Sequence, residues 1–169
     1  MVCEYRAQNM PKIIETWCDS DWAGCPDTRK STSGGITLWG QHPIKAWSTT
    51  QSVIALSSGE AEYYALVKAG SQSIGIRSML KDFGMKGRIK LITDASAAQG
   101  IAARRGLGQV KHVEVNMLWL QDKVNKNEIA IEKTGGKENI ADTLTKFMEV
   151  SSLRVHIIGA RNQDSQWTT

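Results

Sequence analysis

Between residues 12 and 50 the apolar side chains alternate with other residues, whereas between residues 58 and 83 they recur every three or four positions. That change of period constrains the fold more than any other feature. A segment patterned at two residues buries its apolar set as a strand, and one patterned at 3.6 buries it as a helix. "KIIETWCDSDW" reads as a first strand, and "GGITLWG" and "HPIKAWSTT" as an antiparallel pair turning at Gly40 to His42. The long helix runs from about Ser58 to Phe83, closed by Gly84. "RIKLITD" is a fourth strand and "ASAAQGIAARR" a short helix. In "KHVEVNMLWLQDKV", Val113, Met117, Leu120 and Val124 step at helical spacing. "EIAIEKT" is a fifth strand, "GGKE" a loop and "NIADTLTKF" a last helix. Three leading strands followed by alternating helices and strands predict an α/β fold with a mixed sheet. The early hairpin is antiparallel, and the strands reached by helical crossovers are parallel.

The 169 residues suit one domain, expected over 12–150, with a frayed N-terminus at 1–11 and a tail at 151–169. No apolar run approaches the roughly 18 residues of a spanning helix, and "MVCEYRAQNMPK" lacks the apolar block of a signal peptide. Three cysteines cannot all pair within one chain, so free thiols in a reducing compartment are expected. The expected location is therefore intracellular, in cytoplasm or nucleus, with no membrane partner. A formal charge of +4 leans toward a polyanionic partner.

Carboxylates stand where a core would be expected. Asp19 and Asp21 alternate with Cys18 on the first strand, and burying an unpaired carboxylate is expensive. Ser57 with Glu60 has the spacing of a capping box. Glu62 falls in register with Ala65, Leu66, Ala69, Ser73, Ile76 and Leu80, at the top of the stripe that should face the sheet. Asp94 ends the fourth strand, where an N-cap is the structural alternative. Asp142 begins the last helix, where the helix dipole offers one. Gathered at one point, these acids would repel one another unless cations bound there. Oxygen-only ligands select Mg²⁺ or Mn²⁺, and two such ions can stabilise both the attacking and leaving oxygens of a phosphodiester displacement.

The blocks "DSDWAGCPDTRKSTSGG", "KAWSTTQSVIALSSGEAEYYAL", "LITDASAAQGIA", "KHVEVNMLWLQDKV" and "ENIADTLTK" occur in one order between about residues 14 and 148. In this the chain resembles the ribonuclease H domain of copia-type LTR retrotransposon polyproteins. The resemblance implies a ribonuclease H-like fold with a five-stranded mixed sheet. It places metal-binding acids on Asp19, Glu62, Asp94 and Asp142, Asp19 being preferred to Asp21 as the first acid of "DSD". It also implies two Mg²⁺ ions (Mn²⁺ being the alternative) and cleavage of the RNA strand of RNA–DNA hybrids, leaving 5′-phosphate and 3′-hydroxyl ends. The implied partner is a reverse transcriptase domain of the same polyprotein. One departure is that "KTGGKENIAD" lacks the mobile histidine that many cellular relatives carry before the last acid. Lys137 is a poor general base, since a lysine ordinarily titrates near about 10.4.

Telling RNA from DNA requires reading the 2′-hydroxyl across a shallow groove. Thr50, Gln51, Ser57 and Ser58 are the candidates, lying just before the helix that bears Glu62. Arg29 and Lys30 in the first loop, with Arg105, Lys111 and His112 after the second helix, are candidates for phosphates. Two other readings stay open: a silent retroelement relic that binds nucleic acid without cutting, and a strand-transfer nuclease of the same superfamily.

Overall fold

The computed structural model describes residues 5–103 and 115–146. Five strands, β1 (Ile13–Asp21), β2 (Thr32–Trp39), β3 (His42–Thr50), β4 (Arg88–Thr93) and β5 (Ile129–Lys133), form one sheet in the order β3-β2-β1-β4-β5. The β1–β2 and β2–β3 pairs are antiparallel, and the β1–β4 and β4–β5 pairs parallel, as the change of period predicts. The helices are α1 (Ser58–Asp82), α2 (Ser96–Ala102) and α3 (Val115–Asn125).

Helix α1 starts and stops where its chemistry requires. Ser57 is the N-cap, its hydroxyl accepting from the Glu60 amide at 3.2 Å. The return bond of the capping box is displaced by one residue, because Glu60 Oε2 accepts from Leu56 N rather than from the cap residue itself. At the other end Gly84 takes φ +74°, and the Met85 amide reaches back to the Leu80 carbonyl at 2.9 Å, a Schellman closure. The predicted stripe is the buried one: Ala65, Leu66, Ala69, Ser73, Ile76 and Leu80 all face inward. Leu66, Ala69, Ile76 and Leu80 pack with Ile14, Cys18, Ile89, Leu91 and Ile129 in the main core. Fully burying one such leucine contributes about 1.5–3 kcal/mol. Ser73, the one polar member of the stripe, is satisfied there by Thr16 Oγ1 at 2.7 Å and by the Ala69 carbonyl at 2.7 Å.

The other face of the sheet carries a smaller apolar cluster. Trp17, Ile92 and Ala141 are buried there, with Ile36, Leu38 and Ile140 packed around them. Ala141 and Ile140 belong to a 3-10 turn, Ile140–Leu144, that replaces the last α-helix expected from the sequence; a second 3-10 turn, Gly136–Glu138, precedes it in the expected loop. Asn139, fully buried, accepts the Ala141 amide at 3.2 Å and donates to the Cys18 carbonyl at 3.0 Å. That bond fixes the turn to β1 and substitutes for helical continuity.

Residues 5–11, expected to fray, are held in part to the β2–β3 hairpin. Gln8 donates to the Trp39 carbonyl and accepts from the Gln41 amide, both at 2.9 Å. Cys18 and Cys25 are free thiols. No helix among the described residues is long and apolar enough to cross a membrane. The expected tail at 151–169 lies outside the described residues.

Candidate metal centre

Three of the four predicted acids meet. Asp19 lies near the end of β1, Glu62 in the first turns of α1, and Asp94 directly after β4; one carboxylate oxygen of each lies within 4.8 Å of the others. Asp94 does not take up its structural alternative. Ala95, not Asp94, occupies the N-cap position of α2, without a side-chain cap bond. Asp21, by contrast, is used locally: its carboxylate accepts the Thr32 amide across the start of β2. Its distinction from Asp19 follows from that bond.

Asp19 is 1 % exposed. Burial lifts its carboxyl to about 6, against the opposing pull of the Thr145 hydroxyl and Lys146. Burial lifts Glu62 further, to about 8, and the charges of Asp19 and Asp94 add to it. Glu62 Oε2 is buried and has no hydrogen-bond partner. The Ser20 amide opposes the rise of Glu62 only in part. A desolvated carboxylate with one orphaned oxygen, set beside two further carboxylates, is the environment a hard cation relieves. An all-oxygen donor set fits Mg²⁺ or Mn²⁺ and not a thiolate-seeking metal.

Asp142, the fourth predicted acid, stands beside this trio rather than within it. It sits in the 3-10 turn, close enough to Asp19 for its charge to raise the Asp19 carboxyl. Its Oδ1 meets Lys146 Nζ at 2.5 Å, and the same ammonium lies 3.9 Å from Asp19 Oδ2. The Thr145 hydroxyl donates to Asp19 Oδ2. Lys146 therefore offsets part of the negative charge while Thr145 orients Asp19.

Sequence reasoning missed these supporting residues. Gly34 is another, pairing opposite Asp19 in β2. A Cβ at Gly34 would come within 2.7 Å of Thr145 Cγ2 and 2.9 Å of Leu144 Cβ, so only glycine lets the turn approach the strand. A glycine inside a strand pattern is the signal that could have found it. Trp22, although 55 % exposed, is anchored by its indole N–H to the Ala55 carbonyl at 3.3 Å.

The predicted nucleic-acid contacts divide. Thr50, Ser57 and Ser58 are exposed at the acid end of the sheet, and Arg29 is exposed in the β1–β2 loop with Lys30 half-buried beside it. Ser57 also serves as the α1 cap. Gln51 is buried and its amide nitrogen is spent internally, on Ser20 Oγ, Ser33 Oγ and the Ala61 carbonyl at 2.9–3.1 Å. It braces the site from within. Arg105, Lys111 and His112 lie outside the described residues.

A mixed sheet in this strand order, with acids on β1, on α1 and after β4, defines the ribonuclease H fold. Solved structures that share it include the following two. A ribonuclease H1, LC11-RNase H1, solved in complex with RNA/DNA hybrid, matches with a TM-score of 0.52 at 16 % identity, covering 78 % of this chain and 92 % of that one. A foamy viral protease-reverse transcriptase, also in complex with RNA/DNA hybrid, matches at 0.55 and 12 % identity, covering 86 % of this chain and 21 % of that one. Likeness at such identities is one of fold.

By sequence, the chain is homologous to retrovirus-related Pol polyproteins of plant transposons, in agreement with its resemblance to copia-type ribonuclease H domains. It is 29 % identical over 138 residues to that of transposon TNT 1-94 from Nicotiana tabacum, covering 80 % of this chain. It is 30 % identical over 136 residues to that of transposon RE1 from Arabidopsis thaliana, covering 79 %. The chain spans only 10 % and 9 % of those polyproteins. No family model matches.

Proposed function

We propose that the chain is a metal-dependent endoribonuclease that hydrolyses the RNA strand of RNA–DNA hybrids in retroelement reverse transcription. The observation that carries this reading is the meeting of Asp19, Glu62 and Asp94, with one buried Glu62 oxygen left unpartnered. Asp19, Glu62 and Asp94, with Asp142 beside Asp19, would hold two Mg²⁺ or Mn²⁺ ions. When bound, such ions supply Lewis-acid stabilisation of charge developing on the phosphodiester oxygens. The protein's own part is positional. β1, α1 and β4 are fixed by the main core, so their carboxylates converge before any substrate arrives. Thr145 holds Asp19 in one orientation, and the Thr50, Ser57 and Ser58 hydroxyls stand exposed where a 2′-hydroxyl could be read. Two of the solved structures that share the fold, LC11-RNase H1 and the foamy viral protease-reverse transcriptase, were captured with RNA/DNA hybrid, which supports that substrate class. A reverse transcriptase domain of the same polyprotein is the proposed partner, since the sequence relatives are Pol polyproteins.

The test is incubation of the purified chain and Mg²⁺ with a hybrid labelled on its RNA strand, and separately with duplex DNA. The expected result is RNA fragments ending in 3′-hydroxyl, intact duplex DNA, and no cleavage by Asp19→Asn. A wild type that retards the hybrid on a gel yet leaves the RNA whole would contradict the proposal and favour the relic. A DNA strand joined or nicked instead would favour strand transfer.

A further inference from the structure

The two sides of Asp19 are unlike. Toward Glu62 and Asp94 the carboxylates converge, and a buried Glu62 oxygen is left without a partner. Toward Asp142 a cation is already in place. The Lys146 ammonium lies 2.5 Å from Asp142 Oδ1 and 3.9 Å from Asp19 Oδ2. The backbone of the turn puts it there. The Lys146 amide bonds to the Asp142 carbonyl at 3.2 Å, and the spacing of four residues brings the lysine side chain back over the Asp142 carboxylate. The Thr145 hydroxyl donates to the same Asp19 oxygen that the ammonium approaches.

The ammonium is held less firmly than the acids it faces. The Lys146 side chain is 52 % exposed, against 2 % for that of Asp19. An ion pair open to water is weak, and a flexible four-carbon stem lets the charge leave into solvent without moving the turn. A divalent ion drawn to Asp19 and Asp142 together meets a like charge beside both, and must displace it before binding. An ion drawn to Glu62 and Asp94 finds the Glu62 Oε2 atom free, with no ammonium to remove from it. One side of the centre is open and the other is plugged.

We propose that Lys146 is a placeholder cation. It fills the Asp142 side of the centre in the metal-free protein, so divalent ions load in order: the first at Asp19, Glu62 and Asp94, the second only as the ammonium withdraws to solvent. This rests on the proposed metal centre but on neither hybrid binding nor cleavage. A placeholder of this kind shields the acids from one another while the centre is empty, at the cost of competing with the second ion.

The test is calorimetric titration of the whole chain with Mn²⁺ at fixed ionic strength, without nucleic acid. Wild type should bind one ion tightly and a second more weakly. Lys146→Met keeps the stem and removes the charge, and should tighten the second ion by on the order of 10-fold while changing the first much less. Its metal-free melting temperature should fall, because the acids lose their counter-charge. Lys146→Arg keeps the charge in a group that grips carboxylates at two points, and should leave the second ion as weak as in wild type or weaker. Lys126→Met deletes the same formal charge from an exposed pair with Asp122, and should leave both constants as in wild type. A second ion that binds Lys146→Met no better than wild type, one that binds Lys146→Arg more tightly, or an equal gain in Lys126→Met would overturn the placeholder and leave the metal centre standing. No Mn²⁺ bound by wild type or by Lys146→Met would remove both.

Discussion

Under α1, the sheet is covered by Tyr63, Leu66, Ala69, Ile76 and Leu80, all buried against Ile14, Cys18, Ile89 and Leu91. On the opposite face the 3-10 turn rests on little more than Trp17, Ile92 and its own Ala141. That turn is held mainly by directed polar bonds, from Asn139 to the Cys18 carbonyl, from Thr145 to Asp19 and from Lys146 to Asp142. The three acids that converge all hang from elements seated in the large core, and the fourth hangs from the turn. Apolar burial is non-directional and adds stability in bulk, whereas hydrogen bonds place a particular atom but add little net free energy each. The molecule thus uses its core to hold Asp19, Glu62 and Asp94 and its polar ties to set Asp142.

If that division is right, stability and chemistry can be damaged separately. Asp94→Asn removes a carboxylate from the trio and leaves the core intact. It should lower RNA cleavage by on the order of 10²–10³-fold or more, with a metal-free melting temperature equal to or above wild type; circular dichroism melts and single-turnover cleavage check both. Leu66→Ala attacks the large core instead. It should cost about 2–5 kcal/mol by urea titration, while the folded fraction keeps its rate per molecule. A rate that falls with stability would show that the core positions the acids only loosely.

The smallest change falls on the other face. Thr145→Val deletes the donor to Asp19 with little change of shape, and its expected cost is about 10-fold in metal affinity by calorimetry, with stability nearly unchanged. The Thr145 bond opposes the burial that lifts Asp19 to about 6. Without it the carboxyl of the metal-free protein ionises at still higher pH, so the fall in apparent Mn²⁺ affinity on acidification should begin at higher pH than in wild type. An unchanged pH dependence of Mn²⁺ affinity would deny Thr145 its orienting role.

How much of this was legible beforehand depended on distance along the chain. The five strands and α1 announce themselves through local period, and the helical stripe exposed Glu62 because an acid in register with Leu66 and Ala69 contradicts its surroundings. Local pattern could not disclose that Thr145 meets Asp19, across 126 positions, or that Gly34 clears space for that meeting. Nor could it separate Gln51 from its neighbours. Thr50 and Gln51 look alike as polar residues at a strand end, yet one is exposed and the other buried under three acceptors. The "NIADTLTKF" pattern promised an α-helix, but the buried Asn139 side chain ties the segment to β1 and its described part winds as 3-10.

Glu62 gives the most direct test of the claim that these carboxylates are gathered for a cation. Its folded-state value of about 8 stands above the ordinary 4.5. In metal-free protein its contribution is therefore fully present below pH 4.5 and is lost as pH rises toward 8. Melting temperatures at pH 8, with and without Mn²⁺, for wild type and Glu62→Gln decide the matter. The expected results are a metal-free wild type that melts below Glu62→Gln, a clear rise in the wild type when Mn²⁺ is added, and little or none in the variant. A wild type indifferent to Mn²⁺, or a variant that responds equally, would contradict the account.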